Sequence, residues 1–168
     1  MFLAIDIGNT NITLGLFKIP DIKTDKKIEI KPFRIWRIAT SKKKTADEYA
    51  IKILDIFYYS KTDITKEQIQ SVAIASVVPP LDNVFADMTK RYFKKDAFFI
   101  NSRNSGGLKF LYNNPEEIGA DRIADAFAAY DRYKKACIVI DFGTATTFDC
   151  IDKNGCYIGG VITAGPQI

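Results

Sequence analysis

The chain begins MFLAIDIGNTNITLGLF (residues 1–17), and a related phrase, VIDFGTATTFDCI (139–151), returns near its far end. Residues 2–7 read as a buried strand with a carboxylate, Asp6, close to its end. Gly8 to Asn11 read as a tight turn, because Gly and Asn tolerate positive φ. Ile12 to Phe17 alternate, with Ile12, Leu14 and Leu16 on one face, which is the period of a strand. The second phrase repeats the plan: a strand, Asp141, a spacer, Gly143, hydroxyl residues, a strand. Such a turn offers backbone N–H groups and Thr hydroxyls to an anion, and Gly removes the Cβ that blocks close approach. A carboxylate repels phosphate, so Asp6 and Asp141 make sense where a cation stands between, directly or through water. A single hairpin of this kind is as well explained as an ordinary turn. Two at equivalent places in a repeated topology favour phosphate binding. The Walker A pattern G-x-x-x-x-G-K-[ST] is absent.

Working outward, FRIWRIA (33–39) alternates as a third strand, with Phe33, Ile35 and Arg37 on one side and Arg34, Trp36 and Ile38 on the other. IPDIKTDKKIEIKP (19–32) is a polar connection. TADEYAIKILDIFYY (45–59) has helical spacing and opens on a capping box, Thr45 with Glu48. VAIASVV (72–78) reads as a buried strand stopped by Pro79 and Pro80. A helix follows with Leu81, Val84, Phe85 and Met88 on one side, then a short strand at 97–100. NSRNSGGLKFLYNN (101–114) reads as loop. Asn114 suits an N-cap and Pro115 a first helical position, so the spacing predicts a helix from there to about Tyr133. Three strands close the chain: CIVID, TTFDCI and CYIGGVI. The order predicts a mixed α/β protein with two similarly begun blocks, 1–113 and 114–168. The second block stops short of what would complete it, leaving a sheet face bare. A fragment, or some other cover for that face, is the expectation.

With 168 residues, 47% hydrophobic and 26% charged, the chain is long enough for a sizeable core. No apolar run reaches the length that spans a bilayer. The N-terminus lacks the basic region of a signal peptide, and Asp6 breaks its apolar run, so a cytoplasmic location is expected. Cys137, Cys150 and Cys156 read as reduced thiols and fit no zinc spacing. Histidine is absent, so a general base here is Asp, Glu, Lys, Tyr or Cys, and no Ser-His-Asp triad forms. The net charge is a mild +4. Between Lys18 and Lys44 stand ten Lys/Arg against three Asp/Glu. That stretch could meet phosphates, but few aromatics interleave, no nucleic-acid motif is present, and a solvated surface is the favoured reading.

Paired D-x-G-x-T hairpins resemble those of the superfamily of acetate and sugar kinases, heat-shock chaperones and actin. More closely, the chain resembles type III pantothenate kinases. DIGNTNITLGLF (6–17) resembles their first phosphate motif, ASVVPPL (75–81) an inter-strand signature, and DFGTATT (141–147) their second phosphate motif. YNNPEEIGADR (112–122) matches Y-x-N-P-x-x-x-G-x-D-R, which is long and specific. The resemblance runs over the whole chain. It implies duplicated actin-like (ribonuclease H-like) lobes with mixed sheets, the second incomplete here. It implies transfer of the γ-phosphoryl of ATP to the primary hydroxyl of pantothenate, giving 4′-phosphopantothenate, the first step toward coenzyme A.

By the same carry-over the base is Asp121. The residues alone leave Asp125, one turn on, as an alternative, and Arg122 is expected to help keep Asp121 ionised. Tyr112, Gly119, Ala120, Asp121 and Arg122 line the pantothenate site. Asp6, Ile7, Gly8, Asn9, Thr10, Asn11, Ile12, Thr13 and Thr144 contact ATP, with Asp6 near Mg²⁺. Asp141 matches the residue that holds a monovalent cation, K⁺ or NH₄⁺. A homodimer is implied, with neither membrane nor nucleic acid as partner.

Two departures stand out. The next family motif reads roughly G-G-x-I-x-P-G, whereas GGVITAGPQI (159–168) has Ala164 where the Pro belongs and Pro166 after the Gly. Family members also continue past this point, where a further threonine helps bind pantothenate and where dimer contacts lie. Three other readings compete: a non-catalytic regulator related to the Bvg accessory factors, a truncated remnant, and a different sugar or acid kinase.

Overall fold

The computed structural model describes residues 1–19, 31–60 and 64–166. Most of the polar connection 19–32, the middle of the basic stretch and the last two residues lie outside them. The chain forms two compact units, Met1–Phe99 and Ile100–Ile168.

In the first unit β1 (Phe2–Ile7), β2 (Asn11–Phe17) and β3 (Pro32–Ala39) make an antiparallel meander. β4 (Ser71–Ser76) and β5 (Phe98–Phe99) extend it parallel to β1, in the order β3-β2-β1-β4-β5. Register places Ile5 opposite Leu14 and Asp6 opposite Thr13. Leu3, Ile5, Ile7, Ile12, Leu14 and Leu16 therefore share one face, and all are buried. Two helices cover that face. α1 (Ala46–Tyr59) starts on the expected box: Glu48 N–H donates to Thr45 Oγ1 at 3.3 Å, and Thr45 N–H donates to the Glu48 carboxylate at 2.8 Å. It buries Tyr49, Ala50, Ile53 and Phe57. α2 (Asp82–Met88) follows the 3₁₀ turn opened by Pro79 and Pro80, and it buries Phe85 and Met88. A wider turn, Thr89–Phe93, continues it and ends on left-handed Lys94.

The second unit begins earlier than the expected boundary at 113/114. The segment 101–114 is not all loop: β6 (Lys109–Phe110) pairs with Cys156 and Tyr157 and so binds this segment to the later strands. β7 (Cys137–Phe142), β8 (Ala145–Ile151) and β9 (Cys156–Ala164) form the second meander, in the order β6-β9-β8-β7. A helix, α3 (Ala120–Tyr133), packs on β7 and β8. Its Ile123 and Ala126 bury against Leu108, Ile118, Ile151 and Tyr157.

The helix starts later than its sequence suggests. Pro115–Glu117 is a separate 3₁₀ turn, and Ile118 (φ −76°, ψ 126°) and Gly119 (ψ 142°) are extended. A carboxylate expected mid-helix, Asp121, thus stands in the first turn of α3, where the helix dipole favours it. Among the described residues no helix is long and apolar enough to cross a membrane.

Candidate active site

The first hairpin turns through Gly8 to Asn11, with Gly8 N–H donating to the Asn11 carbonyl at 3.0 Å. Neither glycine nor asparagine here takes positive φ, contrary to expectation. Gly8 is needed for space instead: a Cβ on it would stand 3.0 Å from the Asn11 oxygen. Thr40, at the end of β3, braces the turn from beside it. Its N–H donates to Thr10 O at 2.9 Å and its hydroxyl to Gly8 O at 2.6 Å. With those carbonyls engaged, Asn9, Thr10 and Asn11 are left exposed. Asp6 is exposed on the face opposite the core, in register with Thr13. Ile7 and Ile12 are fully buried, main chain included, and pair with each other in the ladder, so they support the turn rather than face a ligand.

The second hairpin copies this with a turn one residue shorter. Asp141 faces Thr147, and Gly143 N–H donates to Ala145 O at 3.0 Å. Its brace is Gly165, whose N–H donates to Thr144 O at 3.2 Å. A Cβ on Gly165 would collide with the carbonyls of Gly143 and Thr144. Thr144 and Asp141 are exposed.

Around α3 the expected substrate residues assemble. Gly119 is the N-cap residue, Ala120 is buried, and Asp121 and Arg122 are half-buried in the first turn. Asp121 Oδ1 accepts from Arg122 N–H at 2.7 Å. Burial pushes the Asp121 carboxyl above its usual range. The Arg122 amide and charge oppose that shift, while Asp141 and Asp149 reinforce it. Arg122 does act in the expected direction, but desolvation outweighs it. Asp125, the alternative base, is exposed on the next turn. Tyr112 is 41% exposed beside an open pocket of about 310 Å³ shared with Leu111, Asn113 and Asn114. The loop bearing it is fastened by an ion pair between Arg103 and Glu116.

Three residues at this site escaped sequence reading. Asp149 on β8 is 1% exposed and accepts from Arg122 Nε at 2.9 Å, Arg122 Nη2 at 2.6 Å and the Tyr157 hydroxyl at 2.5 Å. Tyr157 on β9 is 1% exposed, and burial first, then the Asp149 bond, drives its phenol far above the ordinary value. Burial works to lower the Arg122 pKa, but the Asp149 bond and charge prevail and raise it. Gly160 completes the group, since a Cβ there would strike Arg122, Phe148 O and Asp149. The available signal was a carboxylate inside an otherwise apolar strand, TTFDCI, beside a Gly-Gly pair in the next.

The nucleotide-type residues Asp6 to Thr13 lie in the first unit, and Tyr112, Gly119 to Arg122, Asp141 and Thr144 in the second. Among the described residues no three Asp, Glu or Cys side chains cluster as a ready-made metal site.

Comparison with known proteins gives the family of the chain. The sequence model of one family, type III pantothenate kinase, matches residues 2–168. A type III pantothenate kinase of Endomicrobium trichonymphae is 52% identical over 100% of this chain and 62% of its own length. One from an Anaeromyxobacter species is 42% identical over 100% of this chain and 61% of its own. The chain thus spans about three fifths of the length of these curated relatives. Among solved structures, an exopolyphosphatase from Cytophaga hutchinsonii superposes with a TM-score of 0.50 at 15% identity, covering 99% of this chain and 51% of that one. That likeness is one of fold, and it agrees with duplicated actin-like α/β units.

Proposed function

The chain belongs to the type III pantothenate kinase family, and on that premise we propose that it serves the transfer of the ATP γ-phosphoryl to pantothenate, the first step of coenzyme A synthesis. The observation that carries this is Asp121: a half-buried carboxylate at a helix start, raised in pKa, beside an arginine whose side chain is tied back. A base needs a pKa nearer the working pH than that of a free aspartate, and burial moves Asp121 that way. Asp121 takes the proton of the attacking hydroxyl, while Tyr112, Gly119, Ala120 and Arg122 hold pantothenate. The first hairpin, Asp6 to Thr13, takes ATP through the exposed groups of its turn, with the buried Ile7 and Ile12 supporting that turn from the core. Thr144 serves the nucleotide from the second hairpin.

Mg²⁺ and a monovalent cation, K⁺ or NH₄⁺, complete the proposal. The donors fit hard cations: Asp6 with Thr13, and Asp141 with Thr147, offer oxygen alone. Asp6 would hold Mg²⁺ and Asp141 the monovalent cation, each with the threonine opposite it in register. Bound there, the ions would supply neutralisation of phosphate charge. A homodimer in the cytoplasm is the setting we propose.

The test is ADP release from ATP, Mg²⁺ and K⁺ with and without pantothenate. Pantothenate-dependent turnover is expected. Asp121→Asn should reduce it roughly 10²–10⁴-fold, the range of a lost general base, with the melting transition retained. Turnover at the wild-type rate in Asp121→Asn removes the base assignment. Absence of pantothenate-dependent turnover in the wild type removes the function.

A further inference from the structure

The Arg122 guanidinium is held on two of its three nitrogens. Nε and Nη2 both meet Asp149 Oδ1, and Nη2 also donates to the Tyr157 hydroxyl at 3.0 Å. Nη1 has no hydrogen-bond partner among the described residues. Since no buried side-chain nitrogen or oxygen there lacks a partner, Nη1 is not buried. The side chain is only 13% exposed, so a long, flexible cation is held in place with the two N–H groups of Nη1 left for a further partner. Tyr157 does a second job. Its ring meets that of Tyr112 edge to face, with centroids 6.4 Å apart and planes at 89°. One buried residue therefore touches both Arg122 and Tyr112.

We infer that Asp149 and Tyr157 are positioning residues that aim Arg122 and Tyr112 at the carboxylate-bearing acceptor substrate. The inference rests on the proposed roles of Tyr112, Asp121 and Arg122. Stability alone gives little reason for the arrangement, since a buried ion pair is commonly no better than apolar side chains filling the same space. Direction is what it provides. Freedom that an exposed arginine would lose on binding is already lost here. Asp149 also balances the Arg122 charge one residue from Asp121, and that leaves the base available to a proton at higher pH. Gly160 lets β9 come close enough for the group to form.

The test is Tyr157→Phe in the full chain, which keeps the ring against Tyr112 and removes the hydroxyl. The KM for pantothenate should rise about tenfold, the effect of one hydrogen bond to a charged group, while the KM for ATP stays put. A merely structural role would lower the active fraction and leave both KM values alone. Asp149→Asn adds a second readout. With Asp149 neutral and the Arg122 charge unbalanced, both effects lower the Asp121 pKa, so the acid limb of the pH profile should move to lower pH. If that variant does not fold, Tyr157→Phe decides alone. An unchanged pantothenate KM in Tyr157→Phe, beside an active wild type, overturns the inference and spares the function. An inactive wild type removes both.

Discussion

Leu3, Ile5 and Ile7 line one face of β1 and are 0%, 2% and 0% exposed; Ile138, Ile140 and Phe142, their counterparts in β7, are 64%, 46% and 71% exposed. The two strands have the same alternation and lead into the same kind of turn. What differs is the face that helices cover. In the first unit α1 and α2 pack on the apolar row, and the Asp6 face is left open. In the second, α3 packs on the opposite face, the one that carries Val139, Asp149 and Asp141. β1 is also flanked by β2 and β4, whereas β7 ends its sheet among the described residues. One meander thus carries a buried core on its apolar face with an exposed turn at its end. The other brings a helix start, with Asp121 and Arg122, onto the carboxylate face. The two units thus differ in which face of the meander the described helices cover.

That contrast can be pressed at three points. The largest effect is expected from acid. Asp121 acts only when ionised, and burial raises its pKa, so turnover should vanish on the acid side with a midpoint above 3.8, the ordinary aspartate value. A pH–rate profile whose acid limb lies at or below that value removes the burial shift assigned to Asp121. The stability sign runs the other way. The folded state binds this proton more tightly, so the contribution present at low pH is lost as pH rises through the Asp121 pKa.

Next is the core of the first unit. Ile5→Ala should cost about 2–5 kcal/mol, as large-to-small changes in packed cores do. Trp36, the one tryptophan, lies in this unit with its indole N–H on Ser60 Oγ at 2.8 Å, so its fluorescence reports that loss directly. The smallest effect belongs to the matching change in β7. Ile140→Ala should shift stability within about 0.5 kcal/mol, as exposed substitutions usually do, and should reduce binding of a hydrophobic dye. Amide exchange along β8 checks the first part. A loss comparable with that of Ile5→Ala would mean that the β7 row is covered in solution.

Much of this was legible before the structure. The two hairpins, the period-two alternation of β1 to β3 and the Thr45–Glu48 box are local, and local signals survive in the chain. The late start of α3 was hidden because Asn114-Pro115-Glu116-Glu117 is a sound helix opening on its own terms. It is realised as one 3₁₀ turn, and the extended Ile118 and Gly119 end it. β6 was hidden because two residues carry no periodicity, and their pairing with β9 spans more than forty residues. Asp149 and Tyr157 were hidden for the same reason: Arg122 meets them 27 and 35 residues away.

The amino-acid sequence by itself determined the strand-turn-strand units, the repeated carboxylate before each turn, the absence of histidine and the long motif from Tyr112 to Arg122. Those follow from side-chain volume, backbone freedom and spacing, all short-range properties. Tertiary structure decided which face of each meander is covered, that Asp121 rather than Asp125 is half-buried, and that Arg122 is tied back by Asp149 and Tyr157. Those depend on which strands and helices come together, because desolvation and hydrogen bonding act between neighbours in space, whatever their separation along the chain.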